Sequence, residues 1–278
     1  EDYYYSNYVD KLEEQGIRVA AITNHNKFNH EEYKALRKTA GKREIYLLPG
    51  IELSVNDGHN GIHCLVIFDP KQWLEEGCDY INQFLTSTFF GKQNFENANG
   101  RSNDDLLGTI KKLNEFQKDY FIVMAHIEQK SGFYFELGGG RKEELAKESV
   151  FREAVIAFQK VRTRDYVDKL KLWFNNELPA FVEGSDPKSI EEIGKGERTF
   201  IKIGDYNFEA VKYALLDYEN RVRNDEKPQV KNGYIESIRF EGGKLDGIAI
   251  DFSSELNNFI GISGSGKSTL LELIRYTL

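Results

Sequence analysis

Short apolar runs alternate with charged, helix-like stretches over the first two hundred residues of the chain. Strands bounded by helices predict parallel βα units. Runs that are apolar at every position are typical of strands buried on both faces. The predicted strands are 19–22, 45–48, 62–68, 120–125 and 179–182. The predicted helices are 8–15, 30–38, 105–117, 142–159 and 165–176, and the segments 92–105 and 138–142 read as loops.

The pattern changes beyond residue 222. A charged stretch that holds Pro228 reads as a linker, and the alternating positions that follow it predict strands at 234–240, 248–250 and 258–260. Gly242-Gly243 between the first two strands is a turn signal. The predicted organisation is a domain over 1–222, a linker over 223–232 and the beginning of a second domain over 233–278.

Composition narrows the class of protein. An apolar fraction of 40% is enough for a hydrophobic core. A formal net charge of -8 argues against a protein whose whole surface binds nucleic acid, although a local basic groove is compatible with this charge. Cys64 and Cys78 form neither a disulfide framework nor a zinc pattern. No uncharged apolar run reaches the roughly 18 residues of a membrane helix. We therefore expect a soluble cytoplasmic protein with no membrane partner.

A complete phosphate-binding loop pattern occurs near the end of the chain, Gly261-Ile-Ser-Gly-Ser-Gly-Lys267-Ser268. Glycines in such a loop let backbone N–H groups turn toward phosphates, the lysine reaches the terminal phosphates, and the serine holds Mg²⁺. A predicted strand precedes the loop and a predicted helix follows it, which is the required context. We expect ATP or GTP with Mg²⁺ to bind here. The candidate ligands are Gly261, Gly264, Gly266, Lys267, Ser268 and Thr269.

Polar residues follow the apolar runs in an ordered series. Strand ends that offer histidine and carboxylate groups to one place are typical of barrel active sites. Imidazole and carboxylate groups are ligands for Mn²⁺, Zn²⁺ or Fe²⁺, and such ions can activate water for attack on a phosphoester. Each residue alone also fits a turn, a buried core histidine, a solvent-facing strand end or a helix cap. The candidate metal ligands are His25, Glu52, His63, His126 and Asp186.

The order of these residues resembles the PHP family, the polymerase and histidinol phosphatase metal-dependent phosphoesterases, over about residues 19–190. The resemblance implies a distorted (β/α)7 barrel and a cluster of metal ions held by the five candidates. Three features depart from the family pattern. The HxH motif is missing and would lie upstream of Glu1, Asn24 replaces the usual aspartate, and Lys188 replaces the final histidine. Since a protonated lysine repels a cation, Lys188 is a candidate for binding a substrate phosphate.

The last fifty residues resemble the start of SMC-like and RecF-like ATPases, which work on DNA, and the segment from Thr199 to Val222 resembles the junction in TrlF-like PHP–ATPase fusions. We therefore predict an α/β protein with a PHP-like barrel, followed by the truncated start of an ABC/SMC-like ATPase domain. Both ends look cut, so we expect a fragment that binds ATP weakly or not at all. The resemblance also implies a homodimer through the intact ATPase domain.

The predicted function is metal-dependent hydrolysis of a phosphoester in nucleic acid or a nucleotide, controlled by ATP. Lys188 and Lys267 are the candidate catalytic residues. The main alternative is a barrel that has lost its chemistry and serves as a docking or regulatory module of a DNA-associated ATPase. A second alternative is a phosphatase of the histidinol-phosphate type that acts on small molecules.

Overall fold

A six-stranded sheet organises the first part of the chain in the computed structural model, which describes residues 2–227 and 233–277. Two compact units are present, residues 1–226 and residues 227–278. The strands of the first unit lie in chain order across the sheet. They are β1 Val19–His25, β2 Tyr46–Val55, β3 Ile62–Phe68, β4 Tyr120–Met124, β5 Val155–Gln159 and β6 Ala180–Val182.

Helices connect and flank these strands, and the described helices of both units are too short or too polar to cross a membrane. Helix α2 is capped at its start, because the Asn29 side chain accepts a hydrogen bond from the Glu32 N–H. The helices of the first unit are α1 Asp2–Glu14, α2 His30–Gly41, α3 Pro70–Trp73, α4 Tyr80–Thr88, α5 Leu106–Glu115, α6 Phe133–Glu136, α7 Gly139–Lys147, α8 Ser149–Ala154, α9 Arg164–Trp173, α10 Phe208–Leu216 and α11 Tyr218–Arg221. Strands β7 Phe200–Ile201 and β8 Val222–Arg223 form a separate antiparallel pair.

The sheet is mixed and its described strands do not close into a barrel, so the α/β class is confirmed and the seven-stranded PHP-like barrel stays a prediction. Strands β2–β3 and β3–β4 pair antiparallel, whereas the other neighbours pair parallel. Only residues 56–61 join β2 to β3, and a parallel crossover needs about a dozen residues or more. Among the described strands, β1 and β6 lie at the two edges and do not pair with each other.

Strand β5 was missed because residues 142–159 read as one helix. The structure divides this stretch into α7, α8 and β5. Every residue of β5 is buried, so its run Val-Ile-Ala-Phe-Gln lacks the alternation of a half-exposed strand. Helix α7 also occupies part of the predicted loop at 138–142, since it begins at Gly139.

Alternate residues of β1 to β4 pack into different clusters on the two faces of the sheet, whereas Ile156 and Ala157 of β5, beside a register shift, both pack in one cluster. The larger cluster contains Ile51, and the smaller contains Leu48 and Ile67. Phe208 and Val211 of α10 belong to the smaller cluster, so we call this side of the sheet the α10 face. Along β1 to β4, the position of a residue in its strand therefore determines the face to which its side chain belongs.

A buried ion pair links the β2–β3 connection to α7. Asp57 is 8% exposed, accepts hydrogen bonds from the Arg141 guanidinium at 2.7 and 3.3 Å, and accepts from the Leu106 N–H at 3.2 Å. We expect Asp57→Ala to lower the free energy of unfolding by about 1–3 kcal/mol, because the buried Leu106 N–H loses its acceptor. Arg141 loses its most buried partner but keeps Asp105 at 2.8 Å and Glu144 at 3.0 Å. Equilibrium urea unfolding measures this loss.

Glu144→Ala is the matched control for this pair. Glu144 contacts the same guanidinium at 3.0 Å but is 54% exposed. Removal of an exposed partner should change the free energy of unfolding by only about 0–1 kcal/mol. Equal losses in the two variants would contradict the assignment of the stability to the buried contact.

The second unit contains an antiparallel pair, β9 Ser237–Arg239 with β10 Ala249–Asp251, and helix α12 Lys267–Thr277. β9 lies within the predicted strand 234–240, and β10 overlaps the predicted strand 248–250 but ends one residue later. The predicted strand at 258–260 is wrong, because these residues form no strand in the described part of the chain. Ile260 is 95% exposed, so no packing supports an extended segment there. The division between the units falls within the predicted linker, of which residues 228–232 lie outside the described residues.

Candidate metal centre

Three of the five candidate ligands belong to the α10 face because of strand register. Glu52 lies four residues after Leu48, which packs on that face. His25 is the partner of Glu52 across the parallel pair β1–β2. Leu65 is the partner of Glu52 across β2–β3, and His63 precedes Leu65 by two residues. The period of two along each strand therefore brings His25, Glu52 and His63 to the same side of the sheet.

His126 reaches this group only because the backbone turns at the end of β4. The preceding even-numbered residues Ile122 and Met124 pack in the larger cluster, so an extended continuation would place His126 on the opposite side. Its φ of 28° leaves the extended region and interrupts the alternation. The His126 ring lies 5.3 Å from the His63 ring, centroid to centroid.

Glu52 is the common neighbour of the three imidazoles. The distance from Glu52 Oε1 to His63 Nδ1 is 3.0 Å, and that to His126 Nε2 is 3.7 Å. Glu52 Oε2 lies 3.9 Å from His25 Nδ1. Donor atoms of His25, Glu52 and His63 all lie within 4.8 Å of one another. The structure thus brings four of the five predicted ligands together around one carboxylate.

The pKa shifts reflect this arrangement. Burial opposes ionisation of Glu52, but hydrogen bonds from His126 and His63, together with their charge, hold the pKa of the carboxyl group well below its usual range. Burial lowers the pKa of His25, which outweighs the opposing influence of Glu52, and the charge of Lys188 lowers that pKa further. An ionised carboxylate beside a neutral imidazole is the state in which both groups bind metal.

The structure does not bring Asp186 into the cluster. Asp186 lies in the loop after β6, with a side chain that is 46% exposed and 3.1 Å from Lys188 Nζ. The Lys188 side chain is 76% exposed, and its charge acts on His25 as described. An ion pair with a neighbouring lysine reduces the negative charge that a cation would encounter. The roles of Asp186 as a ligand and of Lys188 as a phosphate-binding group stay predictions.

Asn26 holds His25 in place, and it was not among the predicted site residues. Asn26 is fully buried, and its side-chain NH₂ lies 3.2 Å from His25 Nε2 and donates to the Phe95 carbonyl at 2.7 Å. Its Oδ1 accepts from the Ser54 N–H at 2.8 Å. Its φ of 47° is a conformation that asparagine adopts more readily than most residues. A buried asparagine of this kind leaves no distinctive signal in the sequence.

Gln159 positions His126 and was also missed, because its strand read as a helix. The Gln159 side-chain carbonyl accepts from the His126 N–H at 3.1 Å, and the Gln159 backbone carbonyl accepts from the Ile127 N–H at 3.1 Å. These two contacts hold the turn that directs the His126 ring toward Glu52. Outer contacts of this kind fix the orientation of metal ligands.

We expect Gln159→Leu to weaken divalent-metal affinity by about 10–100-fold, since the turn at His126 loses one of its anchors. Competition with a chelating dye measures this change. If Gln159 acts through His126, the double variant Gln159→Leu/His126→Ala should bind metal no more weakly than His126→Ala alone. Additive losses would show instead that Gln159 acts independently.

The donors present fit a divalent transition metal. Three imidazoles and one carboxylate are the ligand types that Zn²⁺, Fe²⁺ and Mn²⁺ accept. The Nδ1 atom of His126 is buried without a hydrogen-bond partner in the described part of the chain, which is costly for a polar atom. A site whose polar atoms are not all paired within the protein is suited to an additional partner.

Comparison with known proteins finds limited similarity. No family model and no curated protein match the chain. PsfC from Pseudomonas syringae matches with a TM-score of 0.43 and 13% identity, over 74% of this chain and 75% of that chain. A two-domain protein from Bacteroides vulgatus that contains a predicted PHP-like metal-dependent phosphoesterase matches with a TM-score of 0.46 and 13% identity, over 79% of this chain and 59% of that one. The structure of an amidohydrolase from Chromobacterium violaceum, with bound sulfate and no metal, matches with a TM-score of 0.44 and 14% identity. This match covers 79% of this chain and 92% of that chain. Similarity at this level assigns this chain neither a family nor an activity.

Proposed function

We propose that the first unit is a divalent-metal-dependent phosphoester hydrolase. The observation that carries the proposal is the convergence of His25, His63 and His126 on the single carboxylate of Glu52. These donors come from β1, from β2, from β3 and from the turn after β4, so their association is a property of the tertiary fold. A nucleotide or nucleic-acid ester is the proposed substrate.

In this mechanism the protein binds the metal ion, supplies negative charge to it and orients the imidazole ligands. A divalent ion held by the four side chains would supply Lewis-acid chemistry to a phosphoester. Glu52 contributes the negative charge of the donor set, and Asn26 and Gln159 hold the rings of His25 and His126 in position. Lys188, exposed and close enough to affect the pKa of His25, would hold an anionic phosphate oxygen.

Elemental analysis of the purified protein tests this proposal. We expect Mn, Zn or Fe near one equivalent per chain in the wild-type protein, and none in a His25→Ala/His126→Ala double variant. Hydrolysis of bis(p-nitrophenyl) phosphate should follow the metal content. Absence of metal from the wild-type protein after incubation with each ion, with retention of the fold by circular dichroism, would reject the hydrolase.

The Asp186–Lys188 ion pair favours the second candidate function, a non-catalytic docking module. In that case the first unit would bind no divalent ion and hydrolyse no ester. Activity toward monoesters alone, such as p-nitrophenyl phosphate, would instead indicate the small-molecule phosphatase. The metal and substrate measurements therefore separate all three functions.

Nucleotide binding is the function that we propose for residues 261–269 of the second unit. Gly264 and Gly266 have φ of 78° and 88°, which favour glycine. Lys267 Nζ donates to the carbonyls of Gly261 at 2.6 Å and Ile262 at 2.8 Å, so the lysine folds back over the loop. Residues 1–278 should bind a fluorescent ATP analogue with Mg²⁺ only weakly, and Lys267→Ala should weaken this binding further, by at least about tenfold. Equal affinity in the two proteins would reject the loop as the binding site.

A further inference from the structure

A polar cavity of about 600 Å³ is formed by the loop between α4 and α5 together with Asn56. Its volume lies within the range of about 300–1,000 Å³ that is usual for small-molecule sites. The loop is anchored by Phe95, whose ring stacks on the buried Phe89 with centroids 4.4 Å apart. Gly100 fits closely, because an added Cβ would lie 1.9 Å from the Phe95 carbonyl oxygen. The cavity wall is therefore a packed structure.

The same loop contacts the candidate metal centre. The carbonyls of Phe95 and Gly100 accept hydrogen bonds from the Asn26 side chain at 2.7 and 3.1 Å. The Asn97 backbone lies close enough to the His25 ring to affect the pKa of that ring. Since Phe95, Asn97 and Gly100 also line the cavity, one short segment separates the cavity from the metal ligands. A substrate with one group at the metal centre could place its next group against this segment.

The groups that the cavity offers to a ligand are neutral amides. Its two cations are already engaged by backbone carbonyls: Lys92 Nζ donates to Arg101 at 2.7 Å and to Ser102 at 2.9 Å, and the Arg101 guanidinium donates to His59 at 3.2 Å. The amide side chains are exposed, and no hydrogen bond recorded in the described part of the chain involves them. They belong to Asn56, Gln93, Asn94, Asn97 and Asn99.

We propose that this cavity binds a neutral, multiply hydrogen-bonding group of the ester substrate, a nucleobase or a sugar. An amide carries a donor and an acceptor side by side, which matches the edge of a base and also the hydroxyls of a sugar. The role as a substrate pocket rests on the proposed phosphoesterase. Binding of the neutral group itself depends only on the amides, and it is measurable without metal.

The first experiment titrates ¹⁵N-labelled protein in EDTA with adenosine, methyl β-D-ribofuranoside and inorganic phosphate, and follows the side-chain amide resonances. We expect perturbation of Gln93, Asn94, Asn97 and Asn99 by adenosine. A response to adenosine alone identifies the base, whereas equal responses to adenosine and the riboside identify the sugar. No response to either nucleoside-type probe, or a response to phosphate alone, would overturn the proposal.

The second experiment uses a Gln93→Met/Asn99→Leu variant, with Gln83→Met as the matched control on the exposed surface of α4. The double variant should bind the responding probe about tenfold more weakly, and the control should bind it as the wild type does. Unchanged affinity in the double variant would reject the pocket. Metal content is measured on separate samples of the same proteins, incubated with Mn²⁺, Zn²⁺ or Fe²⁺ without EDTA. Nucleoside binding by a wild-type protein that takes up none of these ions would reject the phosphoesterase while leaving the binding site intact.

Discussion

Glu52→Gln should weaken divalent-metal binding by more than about 100-fold. Loss of an outer contact to a metal ligand costs about 10–100-fold, and Glu52 would be a direct ligand and carries the negative charge of the donor set. Its oxygens lie 3.0 to 3.9 Å from three imidazole nitrogens, so no other carboxylate among the clustered ligands can replace it. Competition titration against a chelator of known affinity measures the loss.

Glu96→Gln is the matched control for Glu52→Gln. Glu96 lies in the loop beside the cluster, where it pairs with Lys27 at 3.2 Å, and both side chains are 51% exposed. The same chemical change at this exposed position should leave metal affinity unchanged. If Glu52→Gln retains wild-type affinity, the carboxylate only orients the imidazoles, and the metal site must be assigned to other residues.

Asn26→Ala should lower the free energy of unfolding by about 3–5 kcal/mol in metal-free protein. The change removes the donor to the partly buried Phe95 and Gly100 carbonyls and the acceptor for the buried Ser54 N–H. Alanine is also strained at a φ of 47°, which adds to the loss. Equilibrium denaturation, followed by circular dichroism, gives the change.

Two further variants separate the causes of this loss. Asn26→Asp keeps an acceptor for Ser54 but loses the donor, so it should also destabilise the protein. Asn24→Ala, at the exposed position two residues earlier, should change the free energy of unfolding by less than about 0.5 kcal/mol. A loss in Asn24→Ala as large as that in Asn26→Ala would show that the local turn matters and the buried amide does not.

The strands that carry His25, Glu52 and His63 could be located from the sequence because each is an apolar run. Once β2 and β3 are joined by six residues, their antiparallel pairing follows, and the period of two places Glu52 and His63 on one face. The predicted strand ended at residue 48, which left thirteen residues before residue 62, enough for a parallel crossover. The connection is short only because the structure extends β2 to Val55. Strand β5 could not be separated from a helix, because a fully buried strand has no alternating pattern.

The candidate site likewise contains residues that the sequence predicted and residues that only the structure identified. Residue types and their order in the chain predicted an imidazole–carboxylate site at the ends of strands, because these side chains are the ones that bind divalent transition metals. The contributions of Asn26 and Gln159 were invisible, since their hydrogen bonds join residues that are up to 74 positions apart in the chain. Asp186 matched the pattern by type, yet the structure leaves it paired with Lys188.

The sequence by itself determined the α/β class, the first three strands of the sheet and the chemical identity of the metal-site candidates, because apolar runs and side-chain donor types are local properties. Only the tertiary structure decided that the sheet is open and mixed and that His126 turns toward Glu52. It also decided that the loop at 92–101 forms a cavity wall against His25. These features depend on register, on a single positive φ and on contacts between distant segments, which no local pattern encodes.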